Sequence, residues 1–588
     1  MLPRYRRSFY PRLALIAIVL VCILIFTKTI NKSTDPPSES EGLSLSNAVV
    51  DVSLRKKWSP LERMVLADLA KQRPGLGDDG KSVILEGEEK VRGEAKLQTI
   101  ALNEELSEHL SYNRTTPDAR NPLCRTITFD RASLPTASVV IIFYNEPYSV
   151  LVRTVHSVLN TADRQVLKEI ILVDDGSSNV ELHEKLDYYL ATRLPQDAVK
   201  TVRLKNRLGL IRARLAGARI ARGEVLVFLD AHCECVVDWL EPLLARIQES
   251  RTSVLVPIID VIDAKDFQYS ANGYQHFQVG GFSWNGHFDW IDVPKRERER
   301  QRQDCKVPTE ICPTYSPTMA GGLFAISRDY FWEIGSYDEQ MDGWGGENLE
   351  MSFRIWQCGG TIETIPCSRV GHIFRDFHPY SFPDDRDTHG INTVRMALVW
   401  MDDYIELFYM NRPDLKNNVD VGDVTHRRIL RNKLKCKNFD WYLKNIYPEK
   451  FIPTKDMIGY GRFVSLASDL CFDDLQQNNE EPYNLGLYTC QKSDVTKSQF
   501  FSLTRDGVLR NELSCATVQR SSSTPFLVVM APCQANNKHN EKWEYFRGQL
   551  RHIDTGLCIE QKGLRSHDFV VVDVCEDDTL SQKWRIEH

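Results

Sequence analysis

Residues 225–232 read VLVFLDAH. Five apolar residues, Val225–Leu229, run directly into Asp230, Ala231 and His232. Side chains alternate between the two faces of a strand, so a run that is apolar at every position predicts a strand buried on both faces. Asp230 and His232, two residues apart at its carboxyl end, point to one side and can share a cation. A carboxylate plus an imidazole suits a borderline divalent ion such as Mn2+. An isolated Asp-x-His more often only caps a turn; its place after this strand is what gives it weight.

The same texture extends upstream. Ser138–Phe143 (SVVIIF) and Glu169–Val173 (EIILV) read as buried strands, and the second ends in Asp174-Asp175-Gly176-Ser177. Val199–Leu204 is a further strand, and Leu151–Leu159, Glu181–Leu190 and Leu208–Ala221 have helical spacing. Strand–helix alternation predicts an α/β fold, a parallel sheet with helices on both faces. Ligands in such sheets bind beyond the carboxyl ends of the strands, where this chain places its acids. There Asp175 can accept hydrogen bonds from a nucleotide's base or ribose, and Arg207 can hold the base. The plainer alternatives are a turn acid and a surface charge.

A second dense cluster is Trp344-Gly345-Gly346-Glu347-Asn348, followed by Cys358-Gly359-Gly360, Cys367-Ser368-Arg369-Val370-Gly371-His372, Arg375, His378 and Tyr380. The glycines imply a backbone that approaches a ligand closely. His372, with Asp230 and His232, would complete a three-ligand metal site with open positions. Cys233 and Cys235 lie beside that site, but one intervening residue is a poor spacing for zinc, and buried thiols are the better reading. The run Lys295–Arg302 (KRERERQR) alternates in sign and reads as a solvated face.

From about Gly459 one plan repeats three times. Cys471-Phe-Asp473, Cys490 and Gln499-Phe-Phe501 are matched by Cys515-Ala-Thr517, Cys533 and Glu541-Lys-Trp543, then by Cys558-Ile-Glu560, Cys575 and Gln582-Lys-Trp584. The period is about 42 residues, which indicates units sharing one core. Each unit carries a Cys pair suited to a disulfide: Cys471–Cys490, Cys515–Cys533 and Cys558–Cys575. The pattern resembles the ricin-type β-trefoil lectin. Sugar sites in that domain use an Asp just after the first Cys, which only the first repeat keeps, as Asp473. Thr489 stands before Cys490 where related domains often have Asn. A purely structural trefoil is the alternative.

The N-terminus sets the compartment. Residues 13–26 are uncharged and apolar, and Arg4, Arg6, Arg7 and Arg12 precede or flank them. Extended to residues 9–30, with Arg12 and Lys28 reaching the interface, the segment attains the ~20 residues needed to cross a bilayer. It lacks a good cleavage site, so a retained signal anchor is expected, with residues 1–8 as a cytoplasmic tail and the rest lumenal: a single-pass type II protein of the secretory pathway. Residues 31–118 are polar and free of cysteine and read as a stem, with amphipathic patches near Leu61–Leu69 and Ala101–Leu110. Asn31 and Asn113 begin glycosylation sequons, of which Asn113 is the usable one. Of the fifteen cysteines, twelve then read as disulfide partners, leaving Cys22 in the apolar segment and the thiols Cys233 and Cys235. A net charge of −7 on 588 residues gives no basic field for nucleic acid.

Taken together, the Asp-x-His in VLVFLDAHCEC, the block from WGGEN through PCSRVGH and the appended trefoil resemble the polypeptide N-acetylgalactosaminyltransferases, which initiate mucin-type O-glycosylation. The resemblance covers roughly residues 120–588 and the anchor. It implies a GT-A nucleotide-sugar fold over residues 119–450, followed by the ricin-type trefoil over 457–588. The activity it implies is retaining transfer of N-acetylgalactosamine from UDP-GalNAc to Ser and Thr hydroxyls of polypeptides or glycopeptides. It further implies Mn2+ on Asp230, His232 and His372, and contact of Asp175, Arg207, Arg375, His378 and Tyr380 with UDP or the sugar. Trp344 and Glu347 would sit in the sugar and acceptor pocket as the catalytic pair, and His372–Pro383 would form a lid. Disulfides Cys124–Cys367 and Cys358–Cys436 follow from the resemblance, leaving Cys305 and Cys312 close enough to pair. The chain departs from the pattern at Ile142 and Tyr144, where relatives often carry Thr and His. A lost hydroxyl at 142 removes one nucleotide hydrogen bond, worth about 0.5–1.5 kcal/mol. Residues 384–390 are also more acidic than expected. Two other readings are a catalytically silent lectin-like member and a transferase with another UDP-sugar donor.

Overall fold

The computed structural model describes residues 43–46 and 59–588, apart from 272, 274–275, 381–385, 418, 478–480, 492–496, 520–525 and 534–539. The expected tail, anchor and Asn31 lie outside the described residues. No helix among the described residues is long and apolar enough to cross a membrane.

The central sheet is built from β1 (Ala137–Phe143), β2 (Leu167–Asp174), β3 (Val199–Leu204), β4 (Val225–Asp230), β5 (Cys233–Cys235), β6 (Ser253–Ile262), β7 (Phe324–Ser327) and β8 (Thr361–Ile373). Its order is β3-β2-β1-β4-β7-β6-β8, with Leu43–Ser46 and Thr314–Tyr315 at the edges and β5 paired to β8. β3, β2, β1 and β4 are mutually parallel, as the strand–helix alternation predicts. β7 is antiparallel to both β4 and β6, so the sheet is mixed rather than wholly parallel.

Both faces are buried. Val139 and Ile141 of β1, Ile170 and Leu172 of β2, and Val225, Val227 and Leu229 of β4 pack into one core. Val140, Ile171, Val173, Leu226 and Phe228 pack into the other. This period-two partition is why the strands are apolar throughout.

The segment read as a stem needs correction from Ser59 onward. Its amphipathic patches are helices, Ser59–Lys71 and Glu104–His109, with Gly87–Ile100 between them. Leu102, Leu106 and Leu110 are fully buried against Val150, Val236 and Phe267 of the sheet domain. Arg114 donates to Glu234 with both groups buried. The polar composition conceals a narrow apolar stripe whose partner is distant in sequence. Replacing Leu106 with Ala is expected to lower unfolding free energy by about 2–5 kcal/mol, visible as a depressed Tm in a thermal melt of the chain from residue 43 onward. An unshifted melt would return the segment to a stem. Asn113 is exposed on this layer, its side chain accepting from Asn160.

The run Lys295–Arg302 lies in a helix, Lys295–Asp304, and is not wholly solvated. Glu297 is buried and accepts from Arg300 and from the Tyr315 amide. All six expected disulfides are formed: Cys124–Cys367, Cys305–Cys312, Cys358–Cys436, Cys471–Cys490, Cys515–Cys533 and Cys558–Cys575. Cys233 and Cys235 are free and buried.

The C-terminal repeats share one core that includes Phe463, Phe472, Trp543 and Trp584. Their three disulfides have nearly equal Cα separations of 5.0, 4.9 and 5.0 Å, as repetition of one unit requires. Asp473 is buried, and its oxygens accept from the Leu475 amide, Gln499 and Ser498. The trefoil meets the sheet domain through Glu512, which accepts from the Trp284 amide and from Lys450.

Candidate active site

Strand register assembles the site. Ile142 pairs with Asp230, and Phe143 pairs with Asp174. Three strands therefore end on one line, and the residues after them, Tyr144, Asp175 and Ala231, enter one cavity. The antiparallel pairing of β8 with β5 sets His372 opposite Cys233, and the Ile373 amide donates to the His232 carbonyl. A histidine 140 positions downstream of His232 is thus delivered to its side, with ring centroids 4.7 Å apart.

His372 Nε2 lies 3.2 Å from Asp230 Oδ2. One ligand atom each from Asp230, His232 and His372 falls within 4.8 Å of the others. Gly322 keeps the space open, because a Cβ there would stand 2.5 Å from Asp230 Oδ2. Burial pushes the His372 ring below its usual range, against the pull of Asp230. The neutral ring is the form that ligates metal. Burial would raise Asp230, but the hydrogen bond from His372 and the charge of Arg214 hold it well below the carboxylate range. An ionised carboxylate and a neutral imidazole are the donors a divalent cation requires, and the residues fit one.

Two participants were missed from the sequence. Glu146 is buried; its Oε2 lies 3.3 Å from His232 Nδ1, and its other oxygen accepts from Arg375. Burial would raise this carboxyl, but Arg375 and His232 bring it down to about 2. Glu146 therefore orients a metal ligand and ties the downstream basic segment to it. Glu146→Gln is expected to weaken metal binding by about 10–100-fold, with a smaller effect on kcat. Titration of Mn2+ by calorimetry checks this, and unchanged affinity would remove Glu146 from the support of the site. Arg214, from helix α1 (Leu210–Ile220), is fully buried, 3.4 Å from Asp230 Oδ1 and 3.9 Å from Glu347 Oε1. It bridges Asp230 and Glu347. Glu146 follows a strand end and was open to discovery there; Arg214 sits mid-helix and carried no sequence signal.

Asp175 closes the opposite wall. Its two oxygens accept from the Leu208 and Gly209 amides at 2.7 and 2.9 Å. Burial pushes its carboxyl up to about 6 against those bonds. Gly209, at φ 88°, lies so close to Gly343 that a Cβ would meet its backbone at 2.9 Å. Arg207 stacks over Tyr144 at 4.1 Å and Tyr380 at 5.1 Å. The departure at Tyr144 thus supplies a cation–π face for Arg207. Ile142 lines the cavity.

Trp344 and Glu347 enter from helix α2 (Glu347–Gln357) and the turn before it. Gly345 and Gly346 have φ of 98° and 77°. Their Cβ positions would strike the His389 ring and the Thr393 amide, at 2.6 and 2.9 Å. The glycines therefore serve a close protein contact, with helix α3 (Thr388–Trp400), and not the ligand contact expected from the sequence. Burial pushes the Glu347 carboxyl up, with Arg214 opposing. His378 packs 4.9 Å from Trp344 and 5.7 Å from Tyr380. Asp175, Arg207, Asp230, His232, Trp344, Glu347, His372, Arg375, His378 and Tyr380, all the expected site residues of this domain, line one cavity of about 630 Å³. Residues 381–383 of the expected lid lie outside the described residues.

Family models match stretches of both the sheet domain and the C-terminal repeats. Residues 138–335 match the glycosyl transferase family 2 model, 302–379 the N-terminal domain of galactosyltransferase, and 459–584 the ricin-type β-trefoil lectin domain. The chain is 39% identical to the probable N-acetylgalactosaminyltransferase 9 of Caenorhabditis elegans, covering 99% of this chain and 98% of that one. It is 41% identical to the polypeptide N-acetylgalactosaminyltransferase 13 of Rattus norvegicus, over 91% of this chain and 93% of that protein. The chain belongs to the polypeptide N-acetylgalactosaminyltransferase family. The solved structure of GalNAc-T7 with UDP, GalNAc and Mn2+ superposes with a TM-score of 0.65 at 32% identity, covering 87% of this chain and 93% of that one. The N-acetylgalactosaminyltransferase fold is thus the GT-A arrangement with an appended trefoil.

Proposed function

We propose that this chain transfers N-acetylgalactosamine from UDP-GalNAc to Ser and Thr hydroxyls of polypeptides, with retention at the anomeric carbon, and so starts mucin-type O-glycosylation. The observation that carries this is one cavity in which a metal triad, a nucleotide wall and an acid–tryptophan pair converge. The GalNAc-T7 structure, solved with UDP, GalNAc and Mn2+, supports the donor and ion. The type II anchor and lumenal orientation, resting on the N-terminal sequence, the Golgi location, resting on the family, and the use of Asn113, resting on its exposed sequon, belong to the same proposal. Asp473 remains the proposed sugar carboxylate of the trefoil, sharing oxygens that already order Gln499 and Ser498.

Asp230, His232 and His372 would hold Mn2+, which when bound neutralises charge on the departing diphosphate. Asp175 and Arg207 hold the nucleoside end. Arg375, tied to Glu146, presents positive charge towards the diphosphate. Glu347 stabilises the cationic character that develops on the sugar or positions the acceptor hydroxyl, while Trp344 and His378 cover that space. The acceptor attacks from the face that UDP leaves, and its proton passes to a phosphate oxygen of the leaving group. A panel of UDP-GalNAc, UDP-GlcNAc and UDP-glucose, each with one Thr-rich peptide and with or without chelator, tests the reading. Transfer is expected from UDP-GalNAc alone, and only with the divalent ion. Preference for another donor, or turnover that ignores the chelator, would overturn it.

A further inference from the structure

A second cavity, of about 470 Å³, lies where the trefoil meets the sheet domain. Phe288, Asp289 and Asn411 come from the sheet domain; Gln477, Lys497 and Phe500 come from the trefoil. Phe288 also lines the active cavity, so one ring forms part of both walls. A second link runs through protein. His287, on the wall of this cavity, stacks 4.3 Å from His389, and His389 stacks 5.9 Å from Trp344.

The lining selects among ligands. A nucleotide or other anion is disfavoured by Asp289 and Glu512, since Glu512 already balances Lys450. A lipid is disfavoured by the side-chain amides and the charges. Amides able to pair with peptide N–H and C=O groups, set between two phenyl rings, match an extended polypeptide, whose backbone offers those groups at every residue. Polypeptide is also what must leave the active cavity if a Ser or Thr in mid-chain is the acceptor.

We propose that this interdomain cavity binds the acceptor polypeptide at residues remote from the modified hydroxyl, so that the trefoil takes part in peptide recognition through protein contacts as well as sugar. This rests on the polypeptide reading above. The trefoil wall then contributes to KM for long acceptors while leaving chemistry on short ones alone.

The test uses the whole lumenal chain and three acceptors with a single Thr: a seven-residue peptide, and two twenty-residue peptides extended from it on either side. For the native chain, one extension is expected to lower KM about 10-fold. Lys497→Glu and Leu513→Trp, on the trefoil wall, are expected to abolish that gain. Both should leave transfer to the short peptide and hydrolysis of UDP-GalNAc within twofold of native. A gain that persists in both variants, or no gain from either extension, overturns the proposal. A gain seen only when the extension carries N-acetylgalactosamine assigns the cavity to sugar and overturns it too. Absence of transfer to all three peptides removes the polypeptide reading itself, and this inference with it.

Discussion

Asp230→Asn is expected to abolish Mn2+ binding and to reduce transfer by about 10³-fold. The substitution keeps the shape of the side chain but removes the anionic ligand. Charge neutralisation by a bound cation supplies several kcal/mol, and about 4 kcal/mol corresponds to that factor. The loss is not confined to the ion. Arg214, fully buried, keeps only Glu347 as an acidic neighbour within 4 Å among the described residues, and the 3.2 Å partner of His372 loses its charge. The fold should persist, because Asp230 is at the strand end and the cores on either side of β4 are made by Val225–Leu229. Calorimetric titration with Mn2+, alongside a thermal melt, separates the two effects. A variant that melts normally, binds Mn2+ as the native chain does and turns over unchanged would dissolve the proposed metal centre.

The second large effect is at Glu347. Glu347→Gln is expected to cut kcat by about 10²–10³-fold while UDP affinity stays within twofold. Preorganised charge aimed at a developing opposite charge is worth about 2.7–4 kcal/mol in a dry site. Glu347 meets the condition: it is buried, faces the cavity and, among the described residues, has one cationic neighbour within 4 Å, Arg214 at 3.9 Å. The residues proposed to hold the nucleotide, Asp175 and Arg207, follow β2 and β3, whereas Glu347 opens α2, so binding of UDP should be spared. Measuring single-turnover transfer and UDP binding on one preparation distinguishes this from a general loss of structure. Undiminished turnover would exclude Glu347 from the chemistry.

Much of this site is legible before folding, for a simple reason. Buried strands must be apolar on both faces, so the first charged residue after each marks the strand's end, and parallel strands bring those ends together. The Asp174–Asp175 pair and Asp230, with His232 two residues on, are found by that rule, and the trefoil by repetition. The rule weakens where polarity and burial diverge. The helices over residues 59–110 look like a solvated stem because their apolar stripe is narrow. Gly345 and Gly346 look like a ligand loop because a demand for close backbone approach reads the same whether the neighbour is a ligand or a helix.

Composition, periodicity and repetition alone determined the α/β sheet, its acidic strand ends, the three-unit C-terminal domain and the apolar N-terminal segment. Tertiary structure alone decided that His372 reaches Asp230, that Glu146 joins His232 to Arg375, and that Arg214 bridges Asp230 and Glu347. Local sequence sets which faces must leave water. The distances between charged groups far apart in the chain depend on strand register and packing, and the strength of charge interactions depends on those distances and on the exclusion of water around them.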